Sequence, residues 1–370
     1  MPAEGEIMTP SKLSHLFSSG RQRLWAVIGG CSLVGLLLVA GCSSDDNSQE
    51  EPRPVAGSTV RLLTHDSFVL SDGVLEAFEA ETGIDVEVVK GEDTGTVVSQ
   101  IILTKDNPVA DVVFGVDNTF LQRTLDENIF VAYESPALSN VPSSLAAGGQ
   151  VTPIDYGDVC LNYWKDELGD NPPKSMDDLT DEQFRGKFVT QNPETSSPGL
   201  AFMFATIARY GEAGWEDYWQ RLRDNDVSIT SGWTEAYYTE FTAGGGERPI
   251  VTSYASSPVA EVVFGDPKPD EPPTGIIEDS CFRQVEYAGI LEGTDNLAGS
   301  QMLIDFMLSD AFQEDIPLNM FVFPASSTAT LPDEFVEHAV VPENPLSLPP
   351  ERIAQMRNEW TDRWVEIVLR

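Results

Sequence analysis

Basic residues are scarce in this chain: 22 Lys and Arg stand against 60 Asp and Glu in 370 residues, a formal net charge of -38. Such a field repels phosphate backbones, which excludes nucleic acid as a partner, and it attracts cations. The plainer reading of the excess is solubility in an exported or salt-exposed protein. Histidine is scarcer still, with three residues, and no His/Cys cluster has zinc spacing. There is no Gly-x-Ser-x-Gly elbow, no Gly-x-x-x-x-Gly-Lys phosphate loop and no repeat at a fixed period. Neither a resident metal nor a cofactor is called for. What is present, 41% hydrophobic and 9% aromatic residues, suits a globular protein of about two domains.

The N-terminus reads as a targeting segment. Lys12, Arg21 and Arg23 precede a mostly apolar run from Leu24 to Val39, and Leu38-Val39-Ala40-Gly41-Cys42 closes it. Small residues directly before a cysteine resemble the lipobox of bacterial lipoproteins. That implies a signal peptide over residues 1–41 and a lipid on Cys42, with an uncleaved membrane anchor as the alternative. Either way the rest of the chain lies outside the cytoplasm. Residues 42–57, rich in Ser, Asp, Glu and Pro, form a solvated tether. Only Cys160 and Cys281 remain for the folded part, as one disulfide or as two buried thiols, and spacing leaves both open.

From Thr59 strands alternate with helices. Val60 to Thr64 is a short strand, Ser71 or Asp72 caps a helix closed by Gly83, and Ile84, Val86 and Val88 alternate as a second strand. A turn at Gly91 to Gly95 leads to a helix over Val97 to Thr104, then to the apolar strand Ala110 to Val116. This alternation predicts an α/β fold with a parallel sheet, whose binding edge carries His65, Asp66, Asp93 and Asp117. Val151 to Trp164 is a further strand, and a helix over Leu179 to Phe184 with a strand over Phe188 to Thr190 opens a second α/β region. Ser196 or Ser197 with Pro198 starts a helix to Tyr210, whose free N–H groups offer an anion pocket or an ordinary cap. After the strand Val227 to Thr230, Thr234 with Glu235 caps another helix, which puts Trp233 at a strand-to-helix corner, as a ligand contact or a core plug. Ile250 to Tyr254 and Ser280 to Tyr287 read as strands, Asp295 to Leu308 and Pro349 to Leu369 as helices. Trp360 and Trp364 in the last are one turn apart, a packing pattern.

Seven segments now stand in order: Thr64 to Phe68, Ala110 to Asn118, Asp155-Tyr156-Gly157, Asn192 to Gly199, Gly232 to Tyr237, Ser253 to Pro258, and Ile316-Pro317 with Phe323-Pro324. Together they resemble the thiamine-binding proteins of ABC importers, within the two-lobed type II periplasmic-binding-protein fold. The resemblance implies a first lobe over 58–156, a second over 157–280, and a return over 281–370 with the C-terminal helix. Hinge strands near Asp155 and Cys281 would join the lobes around a ligand cleft, bringing Cys160 and Cys281 onto crossing strands. It implies thiamine, its monophosphate or its diphosphate as ligand, an ABC permease and its ATPase as partners, and a monomer held to the membrane by its lipid.

The ligand-binding set implied is His65, Asp93, Thr94, Asp117, Ser196, Trp233, Tyr254 and Phe321, with no catalytic residue. Thiazolium chemistry agrees, since a flat cation is best held over aromatic faces near a carboxylate. The chain departs from the family's pattern at His65, where Tyr is usual, at Phe321, where Trp is usual, and at Ala260, where an aromatic is expected. Rival readings are a ferric-ion carrier using Tyr237-Tyr238, a polyamine carrier, and a thiamine-cleaving enzyme with Cys160 as nucleophile. A disulfide to Cys281 excludes the last role.

Overall fold

A computed structural model describes residues 56–370, so the expected signal peptide, Cys42 and all but the last two tether residues lie outside the described residues. Strand β1 (Thr59–Thr64) runs parallel to β2 (Asp85–Lys90) on one side and β3 (Val112–Asp117) on the other. All of β3 is buried, as befits a strand covered on both faces. Helices α1 (Val74–Thr82) and α2 (Thr94–Leu103) are the crossovers. Their starts differ from the expected ones. Gly73, not Ser71 or Asp72, precedes α1, with Glu76 folding back onto the Gly73 N–H at 2.9 Å. Helix α2 begins three residues before Val97 because the Asp93 carboxylate accepts the Thr94 N–H at 2.7 Å.

A second parallel set forms from β6 (Phe188–Gln191), flanked by β7 (Ser228–Thr230) and β8 (Ile250–Tyr254). Helices α3 (Ser197–Tyr210), α4 (Trp215–Asp224) and α5 (Ser257–Phe264) cover it. The helix expected over Leu179 to Phe184 is two 3-10 turns, Asp177–Thr180 and Glu182–Phe184.

Two long antiparallel strands, β5 (Thr152–Trp164) and β9 (Thr274–Leu291), join the sets. The C-terminal part of β9 pairs with β3, and the C-terminal part of β5 pairs with β8. The path through the sheet is β2-β1-β3-β9-β5-β8-β6-β7, with the short β4 (Phe130–Val131) on β9 and β10 (Phe323–Pro324) on β5. Strand β9 is far longer than the expected Ser280 to Tyr287. A register shift opposite Cys160 leaves residues 278–281 outside the ladder, and there Cys281 is disulfide-bonded to Cys160, with Cα atoms 4.2 Å apart.

Helix α6 (Leu297–Met307) returns to the first half, where Leu303, Ile304 and Met307 join Val60, Leu62 and Val112 in one core. Helix α7 (Pro350–Val368), expected with that lobe, crosses to the second half instead. Its Trp364 meets Trp219 of α4 edge-on at 5.3 Å, Trp360 meets Phe204 of α3 at 5.9 Å, and Arg223 donates to the Ile367 carbonyl at 2.6 Å. Aromatic complementarity sets the partner: α3 and α4 present the flat surfaces that the tryptophan pair needs. Arg357 of α7 reaches back over the Phe120 ring of the first half at 4.4 Å. Among the described residues no helix is long and apolar enough to cross a membrane.

Candidate functional site

The joining strands supply a floor. Asp155 of β5 lies opposite Glu286 of β9, and Gly157 opposite Gln284, so alternation puts all four on one face. Asp155 is fully buried, and no N–H or neutral hydroxyl reaches either carboxylate oxygen. Burial pushes its carboxyl up to about 7. Burial pushes Glu286 well above the ordinary carboxylate range, and the charges of Asp155 and Asp117 push it further. Two carboxyls buried this close favour holding a proton between them over both being ionised. Gln284 is buried too: its Nε2 donates to Ser197 Oγ at 2.6 Å, while its Oε1 has no partner.

The first half supplies one wall. The His65 ring packs over Gly115, where a Cβ would come within 2.4 Å of the imidazole and where φ is 97°, so only glycine fits. Burial lowers the imidazole to about 4 and keeps it neutral; its Nε2 has no hydrogen-bond partner and sits 3.7 Å from Glu286 Oε1. Asp93 is occupied otherwise than as a counter-charge for a ligand alone. Its Oδ1 accepts the N–H groups of Thr94 at 2.7 Å and Ser197 at 3.1 Å, and its Oδ2 accepts that of Trp233 at 2.9 Å. One carboxylate thus serves three helix starts, two of them in the second half. Burial nevertheless pushes it up to about 6. Thr94 turns inward, its hydroxyl on the Gly115 carbonyl at 3.0 Å. Asp117 takes the Thr119 hydroxyl at 2.7 Å and, from the other half, the Ser197 hydroxyl.

The second half supplies the other wall. Ser196 caps α3 through the Gly199 N–H at 3.4 Å, and the Ser197 N–H that would greet an anion is spent on Asp93. Trp233 begins a helical turn after Gly232, and neither Thr234 nor Glu235 caps it. Glu235 instead reaches back to Ser231, leaving Asp93 to accept the Trp233 N–H. The half-buried indole stacks one face on Tyr237 at 4.9 Å, meets Tyr254 edge-on at 6.5 Å, and donates through Nε1 to Ser253 at 2.9 Å. Burial and the carboxylates of Glu286, Asp93, Asp117 and Asp155 keep the Tyr254 phenol protonated.

Seven of the eight residues read from the sequence thus meet at one place; Phe321 does not share their contacts. Its ring packs on Phe264 at 5.6 Å, and its backbone, held at φ 55°, presents a carbonyl to the Ser256 hydroxyl. Glu286, Gln284 and Ser197 went unread as site residues, and Asp155 was read only as a hinge marker. For Gln284 and Glu286 the signal was two polar residues at strand spacing, on the face opposite Arg283, in the strand Phe282 to Ile290. Tyr237 is buried with its hydroxyl on Glu261 at 2.6 Å, whereas Tyr238 is 48% exposed, so the two do not converge. Among the described residues no group of three His, Cys, Asp or Glu is placed to hold a metal ion. Cys160, bonded and fully buried, offers no thiolate.

The chain resembles known binding proteins in sequence and in fold. A thiamine-binding periplasmic protein of Brucella suis is 32% identical over 322 residues, 85% of this chain and 93% of that one. A solved periplasmic thiamin binding protein superposes with a TM-score of 0.76 at 29% identity, covering 86% of this chain and 99% of its own. Iron-bound HitA from Pseudomonas aeruginosa, 22% identical, shares the fold with a TM-score of 0.69 over 84% of this chain and 99% of its own. The two halves and their joining strands are those of the two-lobed type II periplasmic-binding-protein fold. Residues 107–350 match the bacterial extracellular solute-binding proteins, and this chain belongs to that family.

Proposed function

We propose that this chain captures thiamine, or its mono- or diphosphate, outside the cytoplasm and delivers it to an ABC permease and its ATPase. The observation that carries the reading is the buried floor of carboxyls walled by Trp233, Tyr254 and His65. Buried negative charge without a protein cation favours a cationic ligand, and flat walls favour a flat one. A thiazolium joined to a pyrimidine meets both demands. The relatives named for thiamine binding support the same ligand. A linear polyamine would answer the charge but leave the aromatic walls unused. The parting residues Tyr237 and Tyr238 speak against ferric ion.

In this reading residues 58–156 and 281–349 form one lobe, residues 157–280 with α7 form the other, and closure about β5 and β9 traps the ligand. The protein acts as a monomer, tethered through lipidated Cys42. Calorimetric titration of residues 58–370 with thiamine, both phosphates, spermidine and ferric citrate tests it. One-to-one binding of an intact thiamine species, weakened about tenfold or more in Trp233→Ala, is expected. Heat from spermidine or iron alone would overturn it, as would recovery of a cleaved thiazole.

A further inference from the structure

The Asp155–Glu286 pair is a poor structural device. Asp155 lies completely buried with no hydrogen-bond partner on either carboxylate oxygen, and the Glu286 carboxyl opposite it meets the neutral His65 only at 3.7 Å. Polar atoms buried without partners are costly in a folded protein, and they cluster where something else completes them. The Gln284 Oε1, buried on the same face one pair further along the ladder, is likewise unpartnered. Three side chains on one face therefore wait for a partner with both donors and acceptors.

Resting on the thiamine reading, we propose that the Asp155–Glu286 pair reads the 4-aminopyrimidine edge of the ligand, with Asp155 distinguishing an amino from an oxo group there. The thiazolium has no N–H and cannot use these acceptors; the aminopyrimidine presents a ring nitrogen that accepts beside an amine that donates. In this arrangement the ligand draws the pair's proton to Glu286, which donates to the ring nitrogen, while Asp155 accepts from the amine. Directly opposed residues of an antiparallel pair, with Cβ atoms about 5 Å apart, can address adjacent atoms of one ring edge. A site built to satisfy such groups rejects an analogue that leaves them unpaired. A linear polyamine, carrying donors only, has no use for the donor at Glu286.

The test titrates the wild type, Asp155→Asn and Glu286→Gln with thiamine and with oxythiamine, its 4-oxo analogue. Thermal melting checks that each variant is folded. The wild type is expected to prefer thiamine by about a hundredfold. Asp155→Asn, whose amide can donate to the oxo group, should bring the preference below about tenfold. Glu286→Gln retains a donor for the ring nitrogen and should keep most of the preference. Equal binding of the two ligands by the wild type, or an unchanged ratio in Asp155→Asn, overturns the assignment alone. Binding of neither ligand by the wild type overturns the assignment together with the thiamine reading. Equal losses of preference in both variants would mean that the pair merely supports the fold, and would overturn it too.

Discussion

Asp93 is a first-half residue with two of its three N–H partners in the second half. Moving the halves apart strands those N–H groups and returns them to water, so Asp93 favours the closed arrangement. Asp93→Ala should lower thiamine affinity about tenfold and enlarge the ligand-free protein in X-ray scattering; unchanged size and affinity would reduce Asp93 to a cap for α2. The same carboxyl gives a pH signature. Its folded value of about 6, and about 7 for Asp155, lie above the roughly 4 of an unfolded carboxyl. A raised folded value means that the folded protein binds more protons, so the stability it brings is present below about pH 4 and lost as pH rises through 6 and 7. His65, lowered to about 4, acts in the opposite sense over the same range, so the signature is read by difference. Asp93→Asn and Asp155→Asn should each raise the melting temperature of the ligand-free protein at pH 8 relative to that at pH 5, compared with the wild type; an unchanged pH dependence in both variants would contradict the assignment.

At the level of elements, α2 and the turn before α3 touch across the cleft with no spare room. A Cβ on Gly95 would lie 2.6 Å from the Glu194 carbonyl oxygen and 2.7 Å from the Thr195 backbone. Gly95→Ala should thus hold the halves apart and weaken thiamine binding about tenfold while leaving the melting temperature of the ligand-free protein nearly unchanged; a large drop in melting would locate the clash within one half instead. Helix α7 carries a different burden. Trp364 is fully buried against Trp219, and Trp364→Ala should cost about 3–5 kcal/mol in denaturant unfolding. These elements differ in how far the sequence disclosed them. The apolar run of β3 and the Ser196-Ser197-Pro198 start of α3 are local patterns, and both read correctly. Helix α4 went unread although its pattern is local: Trp215, Tyr218, Trp219 and Leu222 stand at i, i+3, i+4 and i+7, with the charged residues on the opposite face. The partner of α7 and the pairing of Asp155 with Glu286 depend on residues more than 100 positions apart. No local period carries that information, and the positive φ that turns Phe321 toward Phe264 is equally invisible to it.

For the molecule as a whole, the formal charge of -38 acts at a distance. A cation such as thiamine should be drawn toward the surface before it meets the cleft, so its association rate should fall as salt rises from 0.02 to about 0.5 M, while dissociation changes little. Stopped-flow measurement of Trp233 fluorescence quenching would show it, and a salt-independent rate would confine the charge to solubility. In the proposed closure both joining strands would bend, yet the Cys160–Cys281 bond ties them together at one point near the second half. Two ribbons pinned at one point can swivel but cannot slide lengthwise past each other. The pin would make the pair an axle, keeping Asp155 in step with Glu286 through each opening and closing of the proposed cycle.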